Sequence, residues 1–296
     1  MNVPVYLFAA DHRWQWDEWC DANAIERTRT SEAKAVAFEG LLLARTRSDA
    51  ARIGGALLID QQYGAATLAR ALAAGVTVGT PAEKPGVFPL QWTADPFWKA
   101  LPGSFAKVLI RYRPEWSPES KGGQLEKLRQ LTEWCKGKRL PLLLEVLIPR
   151  ENEPEEQFET EGRPVLLAQV IAEAYRAGIV PDFWKIEGTT DHHAMQLIDR
   201  AISAEPLARL VILGKGAGFD LIDGWFRAAA VAQSAAGFAI GRTVYWQPAV
   251  DFLLGRTTRD TAVNAIADNY LRVISSWESN AGGLTSGRRG SGAGQL

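Results

Sequence analysis

Residues 140–188 read LPLLLEVLIPRENEPEEQFETEGRPVLLAQVIAEAYRAGIVPDFWKIEG. The stretch opens on an apolar run short enough to be one strand, LPLLLEVLI, crosses a polar segment, and enters a helix-period segment over about 164–178. It ends on a second short apolar run, FWKIEG. Strands that are apolar almost throughout must be covered on both faces, which is the condition of a parallel sheet wrapped by helices. The unit recurs along the chain: VYLFAA, ALLID, GVTVG, FAKVLIRY, LVILG and GFAIG bring the strands to eight. Further helices are expected over about 31–50, 64–74, 94–101, 121–137, 190–204, 218–235 and 258–279, with Thr30 or Ser31 capping the first. Eight βα units favour closure into a single (β/α)8 barrel of the TIM type, an α/β fold, over an open doubly wound sheet. Such barrels need about 250 residues, which residues 1–280 supply. Residues 281–296, AGGLTSGRRGSGAGQL, are rich in Gly and Ser with little to bury and are expected to be a disordered tail.

The charge balance excludes some partners. With 33 Lys+Arg against 34 Asp+Glu there is no basic field of the kind that phosphate-backbone binding requires, so no nucleic acid is expected. No run of about 18 apolar residues exists to span a bilayer, and MNVPVYLFAADHR lacks the basic n-region of a signal peptide, so no membrane partner is expected. Cys20 and Cys135 stand alone, without a CxxC or Cys/His cluster, which suits a reducing cytoplasm. No GxGxxG follows the first strand and no GxxxxGK[ST] is present, so no cofactor is expected. His12 is remote from the adjacent His192 and His193, a pattern that predicts no zinc-type metal site. Trp14, Trp16 and Trp19 recur at spacings that fit core or interface packing, and the sequence leaves room for a homo-oligomer.

In a barrel of this kind the C-terminal ends of the strands and the loops after them face the active site. Polar groups stand there in almost every unit. Strand alternation puts Phe183, Lys185 and Glu187 on one face and Trp184 and Ile186 on the other. If the latter pack against helices, Lys185 points into the barrel, where an ammonium must be paired or give up its proton; a neutral amine is what Schiff-base chemistry uses. Glu145, alone in an apolar strand, reads either as a general acid/base or as the ion-pair partner of Lys107 or Lys185. Asp11 and Asp60 close strands one and two, where they could orient a lysine or substrate hydroxyls or simply terminate strands. His12, Arg13 and Arg111 are candidate substrate contacts, one of the arginines holding a carboxylate through a bidentate contact. Gly214 and Gly216 in ILGKGAG, with Gly241 and Arg242 in GFAIGRT, fall after strands seven and eight, the usual phosphate position of phosphate-binding barrels.

The blocks AADHR, LLIDQQYG, KVLIRYRP, LLLEVLIP, FWKIEG, ILGKGAG and GFAIGRTVYWQP, followed by IADNYLRVISSWE, resemble the 2-deoxy-5-keto-gluconate 6-phosphate aldolase family from about residue 4 to 279. More distantly they resemble the lysine-dependent tagatose-bisphosphate aldolases. The resemblance implies Lys185 as Schiff-base nucleophile, Glu145 as its acid/base partner, and Lys107, Asp11 and Asp60 in the pocket, with the phosphate on Gly214, Gly216, Gly241 and Arg242. It implies a lyase of the class I aldolase type that cleaves a phosphorylated keto-sugar acid into malonate semialdehyde and dihydroxyacetone phosphate, within inositol breakdown. Two features depart from the pattern: ILGKGAG carries a lysine where relatives often differ, and no kinase domain is attached. Two other readings stay open, a sugar-phosphate-binding barrel or kinase accessory protein without catalysis, and an isomerase or decarboxylase that forms no covalent intermediate.

Overall fold

A computed structural model describes residues 3–280 of the chain. The eight expected strands are present and close into one parallel barrel in chain order, the first pairing with both the second and the eighth. The chain runs β1 (Val5–Ala10), α1 (Trp14–Ala22), α2 (Thr30–Arg47), α3 (Asp49–Gly54), β2 (Gly55–Ile59), α4 (Ala65–Ala73), β3 (Thr77–Pro81) and β4 (Phe105–Arg111). It continues through α5 (Pro118–Lys138), β5 (Leu142–Leu147), α6 (Glu155–Gln157), α7 (Arg163–Arg176), β6 (Phe183–Glu187) and α8 (His192–Ile202). β7 (Arg209–Leu213), α9 (Phe219–Ala229), β8 (Ala235–Ile240), α10 (Arg242–Leu253) and α11 (Arg259–Asn280) complete it. The tail expected over 281–296 lies outside the described residues. No helix among the described residues is long and apolar enough to cross a membrane.

Alternation along the strands divides the apolar side chains into two cores. Leu7, Ala9, Ala56, Leu58, Leu143, Val211 and Ala239 point inward and fill the barrel, with Val5, Phe105 and Phe183 packed against them. The intervening positions, among them Phe8, Leu57, Leu144, Trp184, Ile186 and Phe238, join the larger core between barrel and helices. Each fully buried Leu, Ile or Phe contributes roughly 1.5–3 kcal/mol, so a one-residue slip that exchanged the two faces would expose both cores to the wrong environment. The inward face is therefore fixed, and with it the direction of the charged residues that lie within the strands.

The helices differ from expectation in five places. Trp14–Ala22 and Arg242–Leu253 are helices that the periodicity did not separate from the strand ends before them. The segment 94–101 holds only a single 3-10 turn, Phe97–Ala100, within a long loop whose Glu83 and Trp92 bridge back on each other. α9 stops at Ala229 rather than near 235, because the chain must turn in time to enter β8. Finally, neither Thr30 nor Ser31 caps α2, which grows directly out of a 3-10 turn at Arg27–Arg29.

Candidate active site

A cavity of about 200 Å³ opens where the strands end, lined by Asp11, His12 and Arg13 after β1, Glu83 after β3, and Lys107 and Arg111 on β4. Glu145 on β5, Lys185 and Glu187 on β6, Gly214–Gly216 after β7, and Gly241 and Arg242 after β8 complete the wall. Phe183 packs inside the barrel while Trp184 and Ile186 are fully buried on the helix side, so Lys185 and Glu187 point inward as the alternation predicts. β5 and β6 pair with Glu145 opposite Lys185, and this register alone brings acid and amine together on neighbouring strands. Lys107 sits one inward position below Leu109, which pairs with Glu145.

These side chains form one buried charge network. Lys185 Nζ donates to Glu145 Oε2 at 2.9 Å, and Lys107 Nζ lies 3.0 Å from the same oxygen. Lys107 also donates to Glu83 Oε1 at 2.7 Å and Asp11 Oδ2 at 3.1 Å, so its ammonium stands where three carboxylates converge. Burial alone would strip the charge from such groups, but for Asp11, Glu145 and Lys107 the pairing wins. For Asp11 and Glu145 burial pushes the carboxyl up, and the neighbouring Lys107 and Lys185 ammoniums more than reverse it, holding both below the usual carboxylate range. For Lys107 burial pushes down, and Asp11, Glu145 and Glu83 together hold it above the ordinary lysine value. His12 goes the other way: burial, reinforced by Arg242, Lys185 and Lys34, lowers it to about 3 against the pull of Asp11. The imidazole is neutral at any ordinary pH.

Glu83 is the residue that sequence reasoning undervalued. Besides Lys107 it binds Arg13 at 3.2 Å and accepts the Leu109 N–H at 3.2 Å, joining the start of the β3–β4 loop to β1 and β4. Its sequence signal was only a charge two residues past the β3 strand. The pairing also changes the reading of Arg13, which is 5% exposed and spends its guanidinium on the Glu83 side chain and carbonyl. Arg111, by contrast, is exposed at the rim with its guanidinium 4.3 Å from the centre of the Phe88 ring.

The far side of the mouth is built from the loops after β7 and β8. Gly216 has φ of +81° and sits so close to Arg242 that an added Cβ would stand 3.3 Å from its guanidinium carbon. Arg242 donates to the Lys215 carbonyl at 2.8 Å, while its buried Nε has no partner among the described residues. Lys215 itself, between the two glycines, turns to Glu187 at 3.1 Å. Gly241 immediately precedes α10, and a side chain there would strike the Ala9 carbonyl at 1.8 Å. Gly214, Gly216, Gly241 and Arg242 are thus brought together at one helix N-terminus, a position whose unpaired N–H groups and dipole favour anions.

Asp60 is not part of this constellation. Alternation from Ala56 and Leu58 would carry it inward, but β2 ends at Ile59 and Asp60 turns to a fully buried ion pair with Lys34 of α2. Lys34 also donates to the Ala10 and His12 carbonyls, at 2.7 and 2.9 Å, so the pair ties α2 to the ends of β1 and β2. Among the described residues no group of three or more His, Cys, Asp or Glu is placed to hold a metal ion. His192 and His193 open α8 behind an Asp191 cap and are exposed, away from the cavity; Trp16 is core, and Trp14 lines the mouth.

Several solved structures are similar to this fold over nearly their whole length. A fructose-bisphosphate aldolase from Plasmodium falciparum, in complex with TRAP and a small-molecule inhibitor, shares 13% identity at a TM-score of 0.65, covering 94% of this chain and 92% of its own. An archaeal fructose 1,6-bisphosphate aldolase gives 14% and 0.58, over 93% and 95%. A Schiff base forming fructose-1,6-bisphosphate aldolase gives 14% and 0.54, over 90% and 94%. At such identities the likeness establishes the barrel fold. No curated protein sequence matches the chain. A family model does, over residues 2–281, and the chain accordingly belongs to the family described as uncharacterized protein conserved in bacteria (DUF2090).

Proposed function

We propose that this protein is a class I aldolase that cleaves a phosphorylated keto sugar through a Schiff base on Lys185. The observation that carries the proposal is the Lys185–Glu145–Lys107 arrangement: an amine hydrogen-bonded to a carboxylate whose oxygen is also held by a second lysine. Proton transfer from Lys185 to Glu145 yields a neutral amine and a protonated carboxyl side by side. The amine adds to the substrate ketone, and Glu145 returns the proton to the carbinolamine hydroxyl, which leaves as water and creates an iminium. Glu145, again a carboxylate, takes the proton of the hydroxyl on the far carbon of the bond to be broken, the carbon that becomes the aldehyde. The carbon–carbon bond then cleaves, its electrons flowing into the iminium; an aldehyde departs and an enamine remains on Lys185. Protonation of the enamine carbon and addition of water free the second product and restore the lysine. Asp11, kept ionised by Lys107, is the acceptor that orients substrate hydroxyls.

The loops with Gly214, Gly216, Gly241 and Arg242 suit the phosphate, and Arg111 at the opposite rim suits a second anionic group. A carboxylate there matches 2-deoxy-5-keto-gluconate 6-phosphate, the substrate implied by the sequence blocks, with malonate semialdehyde and dihydroxyacetone phosphate as products. The barrel's likeness to Schiff base forming aldolases supports the reaction class. Borohydride reduction in the presence of dihydroxyacetone phosphate tests the reading: an adduct of one triose phosphate on Lys185 is expected, and a binder or non-covalent enzyme would give none.

A further inference from the structure

A chain of hydrogen bonds runs from the outer core to the cavity wall through Trp16, Tyr245 and His12. Trp16 Nε1 donates to Tyr245 Oη at 3.3 Å, and Tyr245 Oη lies 3.2 Å from His12 Nδ1. Both aromatic side chains are fully buried. An indole N–H can only donate, so the Tyr245 oxygen is the acceptor at that end. Its own hydrogen needs an acceptor, and the one in reach among the described residues is His12 Nδ1. A ring nitrogen that accepts carries no hydrogen, and a neutral imidazole then carries it on Nε2. The opposite tautomer would aim two N–H donors at one oxygen and leave a buried O–H with nothing to bind.

The ring and its backbone are pinned as well. Lys34, itself paired with Asp60, donates to the His12 carbonyl at 2.9 Å. Gly241 leaves the ring its space, since a Cβ there would stand 3.1 Å from His12 Cε1. Burial opposes a second proton on the ring and Arg242, Lys185 and Lys34 reinforce it against the pull of Asp11, so the neutral form is the one to be oriented. His12 lines the cavity, and its Nε2 has no partner among the described residues.

We propose that Trp16 and Tyr245 are positioning residues that lock His12 as its Nε2–H tautomer, and that this N–H is a fixed hydrogen-bond donor for a carbonyl or hydroxyl oxygen of the bound sugar phosphate. The tautomer follows from the protein alone; the ligand oxygen rests on the sugar-phosphate reading above. The chain has three histidines, so imidazole ¹⁵N resonances of the intact protein can be assigned by difference with His12→Gln. The expected spectrum shows His12 protonated on Nε2 only and unchanged from pH 8 to pH 5. Nδ1 protonation, or an ordinary titration near pH 6.5, would overturn the lock. In Tyr245→Phe the Nε2–H preference should relax toward a mixture; a pure Nε2–H signal in that variant would show that the relay does nothing. For the ligand role, His12→Ala should lower kcat/KM about 10²-fold, the loss typical of one preorganised donor, with His12→Gln recovering to within about tenfold. A His12→Ala loss below about twofold would remove the ligand contact. If borohydride traps nothing on Lys185 while the ¹⁵N spectrum is as expected, the aldolase reading fails and the locked histidine stands.

Discussion

Replacing Lys107 by methionine keeps most of the side-chain volume and deletes the charge on which three carboxylates converge. In the native protein Lys107 is within 3.1 Å of Asp11, Glu83 and Glu145, with its side chain 3% exposed and the acids 8–9% exposed. Removing one member of a buried ion cluster leaves uncompensated charge, which costs about 3–5 kcal/mol at neutral pH. For a chain of this size that is a drop in Tm of roughly 6–20 °C. The pH dependence carries the sharper test. Asp11 and Glu145 have folded pKa values below their unfolded ones, so they contribute stability above the unfolded range, near pH 4, that is lost as the pH falls through the folded values. Without Lys107 the burial that pushes both carboxyls up is opposed far less, their folded values rise above the unfolded ones, and the sign reverses. The variant should be least stable at about pH 8 and recover part of its deficit by about pH 5, as the carboxyls take up protons. Urea unfolding followed by circular dichroism across that range measures it. A deficit under about 1 kcal/mol, or one that is the same at every pH, would refute the account of the network.

Other substitutions separate structure from chemistry. Asp60→Asn should cost about 3 kcal/mol by breaking the buried pair with Lys34, yet still allow a borohydride adduct on Lys185; thermal melting and intact mass report the two outcomes. Gly241→Ala should lose at least about 3 kcal/mol, because the added carbon meets the Ala9 carbonyl at 1.8 Å and backbone cannot move aside cheaply; a melting curve like wild type would contradict that close approach. Arg111→Met should raise KM for a substrate bearing a carboxylate by roughly 10–100-fold while leaving dihydroxyacetone phosphate trapping unchanged, as steady-state kinetics and intact mass would show.

The barrel was legible because parallel strands buried on both faces are written as apolar runs, and eight of them stand out against the charged helices. α10 was hidden by Pro248 in its interior and by running on from GFAIG without a break, and α1 by three tryptophans spaced among acids and amides. At the site, Lys185 and Glu145 could be found because a charge within an apolar strand has few explanations, and the β5–β6 register joins them. Asp60 misled for the same reason in reverse: its position in the alternation is inward, and its partner Lys34 sits near the start of α2 where nothing in the sequence marks it as buried. The demands on Glu83 and Arg13 come from side chains 24 and 70 residues apart and have no local signature.

The most direct test of the central claim is peptide mapping after borohydride reduction with dihydroxyacetone phosphate, on wild type and Lys185→Ala. We expect one stable adduct, on the peptide that contains Lys185 and absent from the variant, whose fold should persist because Lys107 still pairs with Glu145. Wild-type protein that binds the triose phosphate and gives no adduct, or an adduct that survives in Lys185→Ala, would contradict it.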